Sequence, residues 1–233
     1  MEPQSDMRGR WVGHNFERQT RIVRAAIELL ESAPSVDVPI QDIANRAGLS
    51  KSVVYRQFDG RDDLDRRIRA QIADDLLDTL IAALDFSHGS VSTIARRTIQ
   101  AIGDWAEGHQ RLYGFLRSGP SSDSKVSAIG TLKDEVAVKI SGVVNSIAAM
   151  IGMDPAPFAS LPYALVTMVE GTLTRWVQDP APKRTRDEII NDLALYVGYL
   201  IDGGARTMGV DLDQDEELMS VIARLAAGDR SEP

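Results

Sequence analysis

Two short clusters in this chain hold residue types able to do chemistry. In Asp74-Asp75-Leu76-Leu77-Asp78, Asp74 and Asp78 stand at i and i+4. On a helix that spacing puts both carboxylates on one face, where they could share Mg²⁺, an ion that prefers oxygen ligands and phosphate company. Such chemistry needs a second acidic cluster facing the first. The candidate is Asp211 to Glu217, which reads equally as the solvated acidic start of a helix. The other cluster, Ser50-Lys51-Ser52-Val53-Val54-Tyr55-Arg56, supplies hydroxyls, an ammonium and a guanidinium, a set suited to hydrogen bonding and to neutralising anions. Nucleophilic catalysis has no visible basis: there is no Gly-x-Ser-x-Gly elbow, paired His and carboxylate, or phosphate-cradling Gly loop. The chain has no cysteine, and His14, His88 and His109 are scattered. Disulfides, thiolate chemistry and Cys-based zinc sites are therefore excluded, and neither a metal nor a cofactor is expected.

Composition bounds the setting. With 233 residues, 43% of them hydrophobic and 26% charged, and a mean hydropathy of -0.16, the chain reads as a soluble globular protein of one or two domains. The most apolar stretch, Val136 to Met153, is interrupted by Lys139, Ser141, Asn145 and Ser146, so a buried helix is expected and no membrane partner. No apolar segment follows Arg8 and Arg10, so a secretory signal is not expected and the cytoplasm is. The net charge of -8 is unevenly spread: residues 1 to 70 hold 12 basic and 11 acidic side chains, the remainder 14 and 23. Arg8, Arg10, Arg18, Arg21 and Arg24 face a single nearby acid, Glu17. This local excess fits either a phosphate-contacting arm or a solvated tail and helix face.

The elements that must position these residues are helical throughout. A first helix is expected over about 19–32, where Ile22, Ala25, Ala26, Leu29 and Leu30 make one apolar stripe, stopped by Ala33-Pro34. A short helix near 40–47 follows, with Pro39 suited to its first turn. Gly48 ends it, Leu49 plugs the core, and the Ser50 hydroxyl can cap the next helix, about 51–57. A longer helix starts at Gly60 or Arg61 and runs towards Leu84. Further helical blocks are expected near 91–108, 110–117, 125–152, 156–178, 185–208 and 213–227, separated by turn-rich segments such as Ser118 to Ser124.

Asp42 to Phe58 thus reads as helix, tight glycine turn and short helix, the build of a helix-turn-helix. Ile43, Ala44 and Ala47 face the core, and Leu49 and Val54 fill the space between the helices. The second helix then offers Lys51, Ser52, Tyr55 and Arg56 to a DNA major groove, which admits an α-helix.

Over residues 18 to 64 this sequence resembles the TetR family of bacterial transcriptional regulators. The resemblance rests on Arg21-Ile-Val-Arg-Ala-Ala-Ile-Glu-Leu-Leu30, Ile43-Ala44, Ala47-Gly48, Ser50-Lys51, Tyr55, Phe58 and Leu64. It implies a DNA-binding set of Ser50, Lys51, Ser52, Val53, Tyr55, Arg56 and Arg61. Lys51 and Tyr55 would contact phosphates, Arg61 would take the basic place at the start of the fourth helix, and Ser52, Val53 and Arg56 would lie nearest base edges. Two places depart from the family pattern. Val38-Pro39 replaces the usual Thr or Ser cap of the second helix, leaving the cap to Asp37 or to a proline first turn. Asp59-Gly60 replaces Pro-Ser before the fourth helix, with Asp62 and Asp63 left to favour its positive end.

The implied architecture is all-α: a basic arm (1–17) that is flexible and could enter a minor groove through Arg8 and Arg10, a helix-turn-helix domain (18–64), a ligand-binding and dimerisation domain (65–228) and a tail (229–233). Leu173, Trp176, Leu193, Tyr196, Val197 and Leu200 would pair with a second copy. Trp105, Tyr113, Leu116, Val144, Met150, Phe158, Tyr163 and Met168 would line a cavity for a small apolar effector, with Glu170 and Arg175 the charged residues of that region. The implied partners are double-stranded DNA with a palindromic operator, the effector and an identical chain. The implied action is repression relieved when effector binding moves the fourth helix and spoils the spacing of the recognition helices. The competing class is an all-α, Mg-dependent prenyl-diphosphate enzyme, whose DDxxD pattern Asp74, Asp75 and Asp78 match.

Overall fold

The computed structural model of the chain describes residues 4–32, 36–119, 127–207 and 209–227, with side chains from residue 15. The expected Ala33-Pro34 stop, most of the Ser118 to Ser124 turn, the side chains of Arg8, Arg10 and His14, and the tail 229–233 lie outside the described residues. The described residues form α1 (Gln4–Ser32), α2 (Ile40–Arg46), α3 (Lys51–Gln57), α4 (Arg61–Ala83), α5 (Val91–Gly108), α6 (Gln110–Arg117), α7 (Ala128–Met150), α8 (Leu161–Gln178), α9 (Arg186–Thr207) and α10 (Leu218–Ala226). The expected all-α class is the class observed. Among the described residues there is no strand, only an isolated bridge between Ser90 and Glu217.

Two starts differ from expectation for identifiable reasons. α1 begins at Gln4 rather than near Gln19, so residues 4–17 carry helical backbone where a flexible arm was expected. That stretch lacks an apolar stripe, yet no proline interrupts it, and Gly9 and Gly13 each cost a helix only about 1 kcal/mol. The expected 156–178 block divides into a 3₁₀ turn at Ala156–Phe158 and α8, because Pro162 fits the first turn of a helix, where its missing N–H goes unused.

The chain divides into two compact units, one of Met1–Asp75 with His109–Ile129, the other of Leu76–Gly108 with Gly130–Pro233. The division falls inside α4 after Asp75, whereas 64/65 was the expected boundary. α6 joins the first unit, hereafter the head. There Ile22, Ala26 and Leu30 of α1, Ile43 and Ala44 of α2, Val54 of α3, and Leu64, Ile68 and Ile72 of α4 are buried. Each of the Val, Leu and Ile side chains among them contributes about 1.5–3 kcal/mol on burial. α6 buries Leu112, Tyr113, Phe115 and Leu116, and the His109 ring just before it meets Glu31 of α1 at 2.5 Å.

The second unit, hereafter the bundle, is built around Ile99 of α5, Leu165, Val169 and Leu173 of α8, and Ile189, Ile190, Leu193 and Val197 of α9. Arg186 at the start of α9 pairs with Asp104 and, at 3.0 Å, with Glu107 of α5. α10 is clipped to the segment before α5: the Leu218 amide donates to the Gly89 carbonyl at 3.1 Å, and the Gly89 amide donates to Glu217 Oε1 at 2.7 Å.

Candidate nucleic-acid interface

α2 and α3 are joined by Ala47 to Ser50. Gly48 sits at φ +64°, the left-handed region that glycine enters without a Cβ penalty. The turn this allows sends the Leu49 amide back to the Ala44 carbonyl at 2.9 Å and the Gly48 amide to the Asn45 carbonyl at 3.1 Å, closing α2. Pro39 occupies the N-cap of α2 rather than its first turn, and no side chain caps that end, so Asp37 does not take the cap role considered for it. The Pro39 carbonyl instead accepts from the amides of Asp42 at 3.0 Å and Ile43 at 3.2 Å. Ser50 is the N-cap of α3, but its hydroxyl pairs with the Ser52 hydroxyl at 3.0 Å instead of capping. Its carbonyl accepts from the Val53 amide at 2.9 Å.

α3 is seated on one side only. Val54 is buried, Phe58 just beyond the helix is buried, and Val53 and Gln57 are half-buried. Ser50, Lys51, Ser52, Tyr55 and Arg56 are exposed, with Tyr55 at 52%. A large aromatic left that far in water on a seven-residue helix serves no core. Lys51 Nζ lies 5.9 Å from the Tyr55 ring centroid, so the two form one cationic, donor-rich edge. Gln19 Nε2 of α1 donates to the Gln57 carbonyl at 2.9 Å and fixes the far end of α3.

Arg61 sits differently from the others. Its Nη1 donates to the Val38 carbonyl at 2.7 Å and its Nε to Asp65 at 2.8 Å, with Asp37 at 3.5 Å. These donors secure the approach to α2, which leaves the DNA-binding role implied for Arg61 unsupported by its contacts. α4 is started by Asp63, which is buried. It accepts from the Asp59 amide at 3.1 Å and pairs with Arg66 at 3.1 Å, so the Asp59-Gly60 departure has its own cap.

In the bundle, the residues expected to line a cavity are not brought together. Tyr113 and Leu116 are buried in the head, not in the bundle. Met150 and Tyr163 are exposed at 56% and 50%, and Met168 packs against the α5, α8 and α9 core. Phe158 lies where a Cβ on Gly204 would meet its ring, and Trp105 and Val144 are half-buried. Glu170 accepts from the Thr174 hydroxyl at 2.9 Å and lies 3.7 Å from Lys133, while Arg175 is exposed. An open groove of about 530 Å³ runs between α7 and α10, lined by Phe86, Val143, Ile147, Met150, Leu218 and Ile222 among others. Of the expected set only Met150 lines it. The α7 lining residues, among them Val143, Ile147 and Met150, follow one helical stripe, but no local signal says that this stripe faces α10 and Phe86.

The residues expected to pair two chains split in the same way. Leu173, Leu193 and Val197 are buried in the chain's own core, a correction with a plain cause: α9 is apolar on two faces, and periodicity does not say which face is internal. Trp176 is half-buried and its Nε1 donates to the Arg184 carbonyl at 2.8 Å. Tyr196 and Leu200 are exposed, and beside them stand Leu195 and Tyr199, which the expectation missed although 195/199 and 196/200 share helical spacing.

The carboxylates of the DDxxD segment do not form a metal site. Asp74, Asp75 and Asp78 are exposed, Asp75 accepts from Gln71 at 2.9 Å, and the expected facing cluster has Glu216 on Arg224 at 3.0 Å and Glu217 on Gly89. Among the described residues no three acidic or histidine side chains are grouped to hold a metal ion. The enzyme reading has no support in this arrangement. Among the described residues no helix is long and apolar enough to cross a membrane.

Residues 22–68 match the model of the bacterial regulatory proteins of the tetR family. The uncharacterized HTH-type transcriptional regulator Rv0472c of Mycobacterium tuberculosis is 25% identical over 187 residues, 80% of this chain and 78% of that protein. A tetR-family transcriptional regulator from Streptomyces coelicolor superposes with a TM-score of 0.62 at 22% identity, covering 91% of this chain and 89% of that one. A TetR-like transcriptional regulator from Rhodococcus gives 0.54 at 17% identity, covering 80% and 96%. Residues 22–68 thus carry a helix-turn-helix of the tetR type, and over most of its length the chain shares its fold with solved regulators described as tetR-family.

Proposed function

We propose that this regulator works in the cytoplasm as a homodimeric repressor that reads a palindromic operator through α3 and releases it when a small apolar effector binds. The observation that carries the reading is the free face of α3: Lys51, Ser52, Tyr55 and Arg56 exposed together on a helix anchored from behind by Val54 and Phe58. A helix held this way fits the major groove, with Lys51 and Tyr55 on phosphates and Ser52, Val53 and Arg56 at base edges.

One head contacts few base pairs, and two heads on a two-fold axis read two half-sites. The exposed Leu195, Tyr196, Tyr199 and Leu200 of α9, with Tyr163 of α8, support a pairing surface. Unpaired, such a face leaves large apolar side chains in water. The apolar groove between α7 and α10 supports an apolar effector, which would act by binding one of two states of the chain more tightly than the other.

Titration of mixed-sequence duplex DNA across a salt series tests the DNA reading. Lys51→Ala is expected to weaken binding to all sequences alike and lower the salt slope by about 1, Tyr55→Ala to weaken it with the slope little changed, while Arg56→Ala relaxes preference at particular base pairs. Variants that bind as the wild type does would overturn the reading.

A further inference from the structure

We propose that Arg18, Arg21 and Arg24 of α1 form a phosphate-binding flank that carries the DNA footprint beyond the reach of α3; the inference rests on the DNA-binding reading above. All three side chains are exposed, and none makes an ion pair or side-chain hydrogen bond among the described residues. One contact ties the Arg18 end of the row to α3. Gln19 Nε2 reaches the Gln57 carbonyl at 2.9 Å, so Arg18 on α1 and Arg56 on α3 each stand one residue from the same junction.

The spacing suits a strand of phosphates. At 1.5 Å rise per residue the row from Arg18 to Arg24 spans about 9 Å, and it turns gradually round the helix because three residues fall about 60° short of a full turn. A DNA strand advances about 3.4 Å along the duplex axis per phosphate while winding round it, so such a row with its long side chains reaches about two of them. The nearest acid up the helix, Glu28, is held by Arg46 at 2.6 Å, which removes it as a competitor for the row. Glu17 remains beside Arg18 and Arg21 and reduces the field at that end. The α1 backbone stays helical back to Gln4, so the row lies on one continuous helix. Guanidinium groups offer paired N–H donors in the geometry phosphate accepts.

The test uses the full chain, a mixed-sequence duplex and salt titration of its affinity. The triple variant Arg18→Gln, Arg21→Gln, Arg24→Gln is expected to lower the slope of log affinity against log salt by about 2, at about 0.9 per phosphate contact. The loss should be equal on a preferred and an unrelated sequence. A triple Lys variant at the same positions keeps the slope, and circular dichroism matching the wild type rules out a folding loss. Removing three exposed cations from the bundle, Arg96→Gln, Lys183→Gln and Arg206→Gln, is expected to leave the slope unchanged. A wild-type slope in the Gln triple, or an equal fall in the bundle control, overturns the flank while the α3 reading stands. Failure of the wild type to bind duplex DNA overturns both.

Discussion

The Arg69 guanidinium stacks on the Phe115 ring, 4.4 Å from its centroid, and Arg69 Nε donates to the Phe115 carbonyl at 3.1 Å. One side chain thereby ties α4 to α6 within the head by two different forces. Partial burial, ahead of the opposing attraction of Asp65, holds the guanidinium below its ordinary pKa. Arg69→Met is expected to destabilise the chain by about 1–2 kcal/mol, the worth of a partly desolvated stack and its hydrogen bond. For a chain of this length that is a fall of roughly 2–4 °C in melting temperature per kcal/mol. Phe115→Leu in the same background should add less than it does alone, because the two positions share one interaction. Additive losses in the thermal melts would contradict the pairing.

Gly48 tests the turn. A Cβ there would meet nothing within 4 Å, so the cost of Gly48→Ala is conformational alone. It should be about 1–2 kcal/mol, the penalty for an L-residue in the left-handed region, read by denaturant unfolding. DNA affinity should fall with it, since the turn sets the angle of α3. A neutral substitution would mean that the turn tolerates a different backbone.

Asp85 gives the pH signature. The Ser87 hydroxyl first, then the Ser87 amide and His88, draw its pKa from an ordinary 3.8 down to about 2. A carboxyl depressed by folding stabilises the fold above its unfolded pKa and loses that contribution as pH falls through the folded value. The melting temperature of the wild type should therefore exceed that of Asp85→Asn at neutral pH, with the gap narrowing between about pH 4 and pH 2. A gap that does not change over that interval would contradict the assignment.

Tyr199 and Leu200 test the pairing surface. Both are exposed on α9, at 59% and 42%, so the double substitution Tyr199→Glu, Leu200→Glu leaves the buried core intact. Sedimentation should show a dimer for the wild type and a monomer for the variant, with helix content unchanged. A monomeric wild type would remove the proposed two-half-site geometry.

The helix-turn-helix was legible in the residues because its signals are local. Gly48 needed a positive φ, the stripe of Ile22, Ala26 and Leu30 had one buried side, and α3 and α5 fall on the spans that periodicity marks. Tertiary choices were not legible. Nothing local assigns α6 to the head, since that depends on Glu31 meeting His109 and on Arg69 meeting Phe115. Nothing local says that Leu193 faces inward while Tyr196 does not. Asp63 reaching back to Asp59, and Ser50 turning to Ser52 instead of capping, are choices among equivalent hydrogen bonds that only the folded chain resolves.

The central claim is that α3 reads sequence in duplex DNA, and selection of bound duplexes from a random pool tests it most directly. The wild type is expected to enrich an inverted repeat with half-site centres about 10 base pairs, or a multiple of that, apart. The variant Lys51→Ala, Tyr55→Ala, Arg56→Ala is expected to enrich nothing. Recovery of no common sequence by the wild type, or of the same sequence by the variant, would contradict it.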